Sequence, residues 1–147
     1  MFRRAARGLE LLLVHPGGPF FSRKDEGAWT IPKGEAAPNE DLLTRARIEF
    51  AEELGVEPLA DRFLPLGSVR QKGGKTVHAW AFEGSLARDF ILRSNTFEMA
   101  WPPRSGKRRT FSEIDRLEFF PEEMARRKTN YAQAELIDRL KEALQRD

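Results

Sequence analysis

Apolar residues recur along this chain with two different periods, and the change of period marks out its elements. Leu9–Val14 is a nearly continuous apolar run, interrupted only by Glu10 and ended by Pro16 and two glycines, which predicts a strand buried on both faces. The residues before it, Met1–Gly8, leave room for a short partner strand and a turn. Ala28–Gly34, AWTIPKG, predicts a short strand that runs into a Pro/Gly loop. From Glu40 to Leu54 the period becomes helical: Leu43, Ala46, Phe50 and Leu54 share one face, Asn39 stands just ahead, and Gly55 supplies the C-terminal stop.

Strand-like stretches then return. Phe63–Gln71 and Lys75–Gly84 flank Gly73-Gly74, a hairpin signal. Phe97, Met99 and Trp101 alternate before Pro102–Gly106 turns the chain into Lys107–Phe111. Arg116–Phe120 reads as the end of a strand, with Pro121 opening a short helix. Tyr131–Leu144 places Leu136, Ile137, Leu140 and Leu144 on one amphipathic face. Strands and helices in this mixed order predict an α+β chain of αβα layers, expected to form one domain over residues 1–147.

Composition narrows the chemistry. Apolar residues at 40% and charged residues at 33% describe a globular chain, and a formal charge of only +2 gives no general argument for nucleic-acid binding. The basic clusters Arg3-Arg4, Lys107–Arg109 and Arg126–Lys128 read as solvated faces. The absence of cysteine excludes disulfides, thiolate metal sites and cysteine nucleophiles, and fits a reducing compartment. No run approaches a membrane span, and the basic start lacks the apolar segment of a signal peptide, so a cytoplasmic location is expected.

Charge patterning matters most on the first helix. At about 100° per residue, Glu49, Glu52 and Glu53 fall on one flank, away from the Leu43, Phe50 and Leu54 stripe. Carboxylates crowded in this way repel and raise one another's pKa values. A hard divalent cation such as Mg²⁺ or Mn²⁺, which takes carboxylate and water oxygens, removes the conflict. Taken alone, "ExxEE" reads equally as an exposed acidic face.

The surrounding spacing resembles the signature of the Nudix hydrolase family over Gly34–Val56. Gly34, Glu40, Glu49, Phe50, Glu52, Glu53, Gly55 and Val56 match in register. One position departs: the family's arginine just before Glu49 is Ile48 here. Arg47 points about 100° away, whereas Arg45 lies four residues before Glu49 on the same face and is the better substitute. Asn39 stands in a turn where relatives often carry glycine, and asparagine tolerates positive φ.

The resemblance implies a mixed central sheet between helices and cleavage of a pyrophosphate bond in a nucleoside polyphosphate by water attack at phosphorus. It implies Glu49, Glu52 and Glu53 as ligands of Mg²⁺ or Mn²⁺, with Glu53 or Glu49 doubling as base and Glu40 and Arg45 in support. It also implies a further glutamate outside the box. Glu113, six residues before Phe119, is the choice, and Glu98 the second. Trp29 and Pro32-Lys33-Gly34 resemble the approach to the box in enzymes acting on dinucleoside polyphosphates, and in some acting on nucleoside triphosphates. There Lys33 meets a phosphate, Gly34 lets backbone come close, and Trp29 is either cleft or core.

Arg70, with Arg23, Lys24 and Lys72, reads as a phosphate contact or as a solvated charge. His15 and His78 do not form a metal pair by spacing, and Gly73–Thr76 lacks the first glycine of a phosphate loop. The expected partner is a small nucleotide, with no membrane and no nucleic acid; oligomeric state is not legible. Ile48 motivates one alternative, a nucleotide-binding module of the same fold with little or no turnover.

Overall fold

The structure, a computed structural model, describes residues 1–146. Its central layer is a three-stranded sheet in the order β1 (Phe2–Ala5), β2 (Gly8–Pro16), β7 (Ile114–Pro121). Two further pairs are β3 (Leu64–Arg70) with β4 (Thr76–Ala81), and β5 (Thr96–Ala100) with β6 (Arg108–Ser112). Each of these ladders is antiparallel. Parallel pairing is confined to the isolated bridges Phe2 to Glu83 and Trp29 to Thr129, so the mixed character expected of the sheet is slight.

The apolar run of β2 explains the layering. Leu11 and Leu13 face one way, into a core shared with Leu66, Val69, Ala79, Ala81 and the helix residues Ala125, Leu136, Ile137 and Leu140. Leu12 and Val14 face the other way, onto Phe50 and Leu54 of α1 (Leu42–Leu54). A strand sandwiched in this manner has no polar face to spare, so its sequence cannot alternate. Helices α2 (Glu122–Lys128) and α3 (Ala134–Gln145) therefore cover one side and α1 the other. Burial of Leu54, 0% exposed, and Phe50, 5% exposed, contributes about 1.5–3 kcal/mol each to holding α1 down.

Several boundaries differ from the sequence expectation. Helix α1 starts at Leu42, because Asp41 caps it by accepting from the Thr44 N–H at 3.0 Å. Asn39 sits outside, in the turn, at φ 65°. Ala28–Gly34 makes no continuous strand: Thr30 bridges Val14 and Trp29 bridges Thr129. Strand β7 starts at Ile114, before the expected Arg116, and a 3-10 turn at Tyr131–Gln133 precedes α3. The turn of β3–β4 falls on Gly73 and Gly74 as expected, both at positive φ.

Candidate active site

The acidic flank of α1 is covered by the Pro32–Gly34 loop. The Lys33 N–H donates to Glu53 Oε2 at 3.2 Å. A Cβ placed on Gly34 would lie 1.9 Å from Glu49 Cδ, so glycine lets this backbone lie directly against that carboxylate, and a larger residue would have to push it aside. The loop itself is pinned from the far side of the molecule. Buried Gln133 accepts from the Ile31 N–H at 3.0 Å and the Thr30 hydroxyl at 3.1 Å, and its own amide donates back to Thr30 Oγ1 at 2.8 Å.

The other end of α1 receives the chain that carries Glu113. Arg93 N–H donates to Leu54 O and Asn95 N–H to Glu52 O. Gly55, in the left-handed conformation at φ 80°, lets Arg93 approach: a Cβ there would meet Arg93 Cβ at 2.6 Å. Glu113 is then gripped at both peptide groups, its N–H donating to Asn95 O at 2.9 Å and its carbonyl accepting from Gly17 N–H at 2.8 Å. It lies between β6 and β7, close enough for its charge to act on Glu49 and Glu53. Glu98 is elsewhere, paired with Arg108 at 2.8 Å on the exposed hairpin.

These surroundings move the carboxyl groups apart in character. Burial pushes Glu53 up to about 7, with the Glu49 and Glu113 charges adding to it and the Lys33 N–H and ammonium opposing. Burial also raises Glu49, assisted by Glu52 and Glu113 and opposed by Arg45. Glu40 moves the opposite way, below the usual carboxylate range, because Arg45 and the Ala37 N–H both donate to it. Arg45 bonds Glu40 Oε2 through Nε at 2.9 Å and Nη2 at 2.6 Å, while Nη1 stands 3.5 Å from Glu49 Oε1. It thus takes the bridging place that Ile48 cannot, and Ile48 points outward, 37% exposed. Arg47 instead lies over the Phe63 ring at 5.0 Å.

Two other expected substrate residues fall outside this cluster. Trp29 is core, 3% exposed, edge-on to Phe120, with its indole N–H donating to Asp25 Oδ1 at 2.8 Å. An indole satisfied in this way has no face left for a ligand. Arg70 ends β3 on an exposed face, and among the described residues no hydrogen bond or ion pair ties it to the carboxylates. His15 is buried between Asp115 and Lys24 O, 2.8 Å from each, and His78 is exposed.

Sequence reading missed a cavity of about 120 Å³ inside the core, walled mainly by apolar residues such as Leu11, Leu13, Phe50, Ala79, Ala81 and Leu136, with Arg47, His78 and Trp80 also on its lining. Residues of both faces of β4 line it, His78 and Trp80 as well as Ala79 and Ala81, so strand alternation alone gave no signal for it.

The donor set is chemically suited to a hard cation. Glu49, Glu52, Glu53 and Glu113 offer only oxygens, and Glu49 feels the charge of both Glu52 and Glu113. Among the described residues no three such groups converge tightly enough to hold an ion unaided.

A β-layered core flanked by helices thus carries Glu49, Glu52 and Glu53 on one helix and brings Glu113 toward them on a distant segment. The sequence matches the NUDIX domain over residues 2–140. The chain belongs to the Nudix family and is a pyrophosphohydrolase of that class. No curated protein matches it.

Solved structures share the fold. An Ap4A hydrolase from C. elegans, as a binary complex, is 20% identical, with a TM-score of 0.67, 99% of this chain and 95% of that one covered. The NUDIX domain of Shewanella oneidensis NrtR, complexed with ADP ribose, is 16% identical, with a TM-score of 0.61 and 97% and 82% covered. A MutT protein from Methanosarcina mazei Go1 is 20% identical, with a TM-score of 0.58 and 96% and 88% covered. Among the described residues no helix is long and apolar enough to cross a membrane.

Proposed function

We propose that this chain, acting as one domain, hydrolyses a pyrophosphate bond in a nucleoside polyphosphate, with Glu49, Glu52 and Glu53 holding Mg²⁺ or Mn²⁺. The observation that carries the reading is the approach of Glu113 to Glu49 and Glu53 across some sixty residues of sequence. A cation bound there neutralises the phosphates and lowers the pKa of the attacking water.

The protein's own groups do the rest. Water adds to phosphorus, the anhydride P–O bond breaks toward the departing phosphate, and a carboxylate takes the water proton. Glu113 suits that last role because its backbone is held at both peptide groups and its charge is near enough to act on Glu49 and Glu53. Lys33 sets a positive charge beside Glu53, where a phosphate oxygen can share it. Arg45, 3.5 Å from Glu49 Oε1, favours the charged form of Glu49 against the effect of its burial.

Dinucleoside polyphosphates lead as substrates on the WTIPKG approach to the box and the likeness to an Ap4A hydrolase; nucleoside triphosphates follow. Ile48 favours a second reading, binding without turnover. The Arg45 bridge between Glu40 and Glu49 weighs against it. The test is a panel of nucleoside polyphosphates incubated with Mg²⁺ or Mn²⁺ and separated by chromatography. Turnover by the native chain and its collapse in Glu53→Gln are expected; tight binding with no product would install the second reading.

A further inference from the structure

The β5–β6 hairpin shares no ladder with the other sheets among the described residues. Its root is fastened to the acidic helix through Asn95 and carries Glu113 at its exit. Further out, Phe97 packs against Gly18, and Trp101 meets Phe20 edge-on at 5.8 Å. Phe20 is 62% exposed and neither ring of that outer pair belongs to the two cores. An aromatic pair left half in water contributes little to folding.

Charge is as lopsided as the aromatic pair. Arg104, Lys107, Arg108 and Arg109 crowd the tip, all exposed, and among the described residues only Arg108 is answered by a carboxylate, Glu98. Four cations on a two-stranded ribbon repel one another unless an anion joins them. The ladder continues from Thr96–Ser112 to Ala100–Arg108, and Trp101 N–H donates to Lys107 O, so Trp101 stands level with Lys107. Six strand steps put that level about 20 Å along the ribbon from Glu113.

We propose that this arm receives the second nucleoside of a dinucleoside polyphosphate: its base stacks on Trp101 and Phe20 while the outer phosphates pass Arg104, Lys107 and Arg109. The inference rests on the hydrolase reading above and specifies its substrate class. Phosphates leaving a carboxylate cluster need cations along their path, and a base stacks on an exposed aromatic regardless of its identity. The order along the ribbon meets both needs, with acid at the root and cations with aromatics at the tip.

The experiment compares diadenosine tetraphosphate with adenosine 5′-tetraphosphate, which differ only in the second nucleoside. With Mg²⁺ present, kcat/KM is expected to favour the dinucleoside by at least roughly tenfold. Trp101→Ala, and separately the charge-reversed pair Arg104→Glu with Lys107→Glu, should bring that ratio near one, mainly through KM. Melting temperatures within a few degrees of the native chain would establish that both variants fold. A ratio near one in the native chain, or a ratio untouched by both variants, overturns the proposal while the hydrolase reading stands. Cleavage of neither compound, alongside failure of the wider panel, brings down both. If the ratio is one and the tip variants instead lose affinity for a single-stranded oligonucleotide, the arm is a nucleic-acid surface and the second-nucleoside assignment is wrong.

Discussion

The Cβ that Gly34 lacks would lie 1.9 Å from the carboxylate carbon of Glu49. Loop backbone and helix carboxylate are packed so closely that a side chain at position 34 would have to move Glu49 aside. Neither is placed by local propensity: the loop is held from behind by Gln133, and the helix by Phe50 and Leu54.

Gly34→Ala should therefore displace Glu49, the loop, or both. A loss of about 1–3 kcal/mol in stability is expected from overpacking. Activity should fall further than stability does, by a factor of ten or more if Glu49 serves the cation. Denaturant melts beside kcat/KM measure the two effects, and a variant as active as the native chain would remove Glu49 from the chemistry.

Glu113→Gln keeps the shape and removes the base. A decrease in kcat of roughly 10²–10⁴ with KM little changed is expected. Glu98→Gln, which breaks only an exposed pair worth about 0–1 kcal/mol, should leave kcat near the native value. Reversal of that order would transfer the role to Glu98.

Arg45→Ala frees Glu49 from its only close cation and leaves Glu40 with the Ala37 N–H alone. A drop of roughly tenfold in kcat/KM is expected, consistent with losing one charge-assisted contact. Ile48→Arg should raise the native rate, and should do so more in the Arg45→Ala background, where its charge has no competitor. Equal effects in both backgrounds would mean that the two positions do not share a partner.

The proton on Glu53 makes cation binding depend on pH. Its pKa rises from 4.5 to about 7 on folding. Between those values the folded chain holds a proton that the unfolded chain has lost, so cation-free stability decreases as pH rises through that window. Cation binding requires the ionised form, so apparent Mg²⁺ affinity should increase from pH 6 to pH 8 and binding should release a proton. Calorimetric titrations at pH 6.5 in two buffers of different ionisation enthalpy would read that proton directly. It should disappear in Glu53→Gln; identical heats in both buffers for the native chain would mean the carboxyl was already ionised.

Gln133→Leu tests whether the loop needs its tether. The Ile31 N–H would lose its side-chain partner and the Thr30 hydroxyl would keep only Ile31 O, costing about 1–3 kcal/mol. Gln133→Glu keeps the acceptor and loses only the donation to Thr30, so it should retain more of both stability and kcat/KM.

What the chain's own order determined is everything contained within one helical or strand period. The spacing of Glu49, Glu52 and Glu53, their separation from Phe50 and Leu54, and the nearness of Arg45 to Glu49 all follow from 3.6 residues per turn. Asn39 at positive φ and the Gly73-Gly74 turn follow from local sterics in the same way. The tertiary structure alone decided which distant residues meet that helix. Trp29 went to the core because Phe120 and Asp25 satisfied both its ring and its N–H, and no local pattern encodes that choice. Glu113 reached the cluster because Asn95, Gly17 and the end of α1 hold its backbone. Those hydrogen bonds join segments whose approach depends on the whole chain packing, a condition that residue spacing does not express.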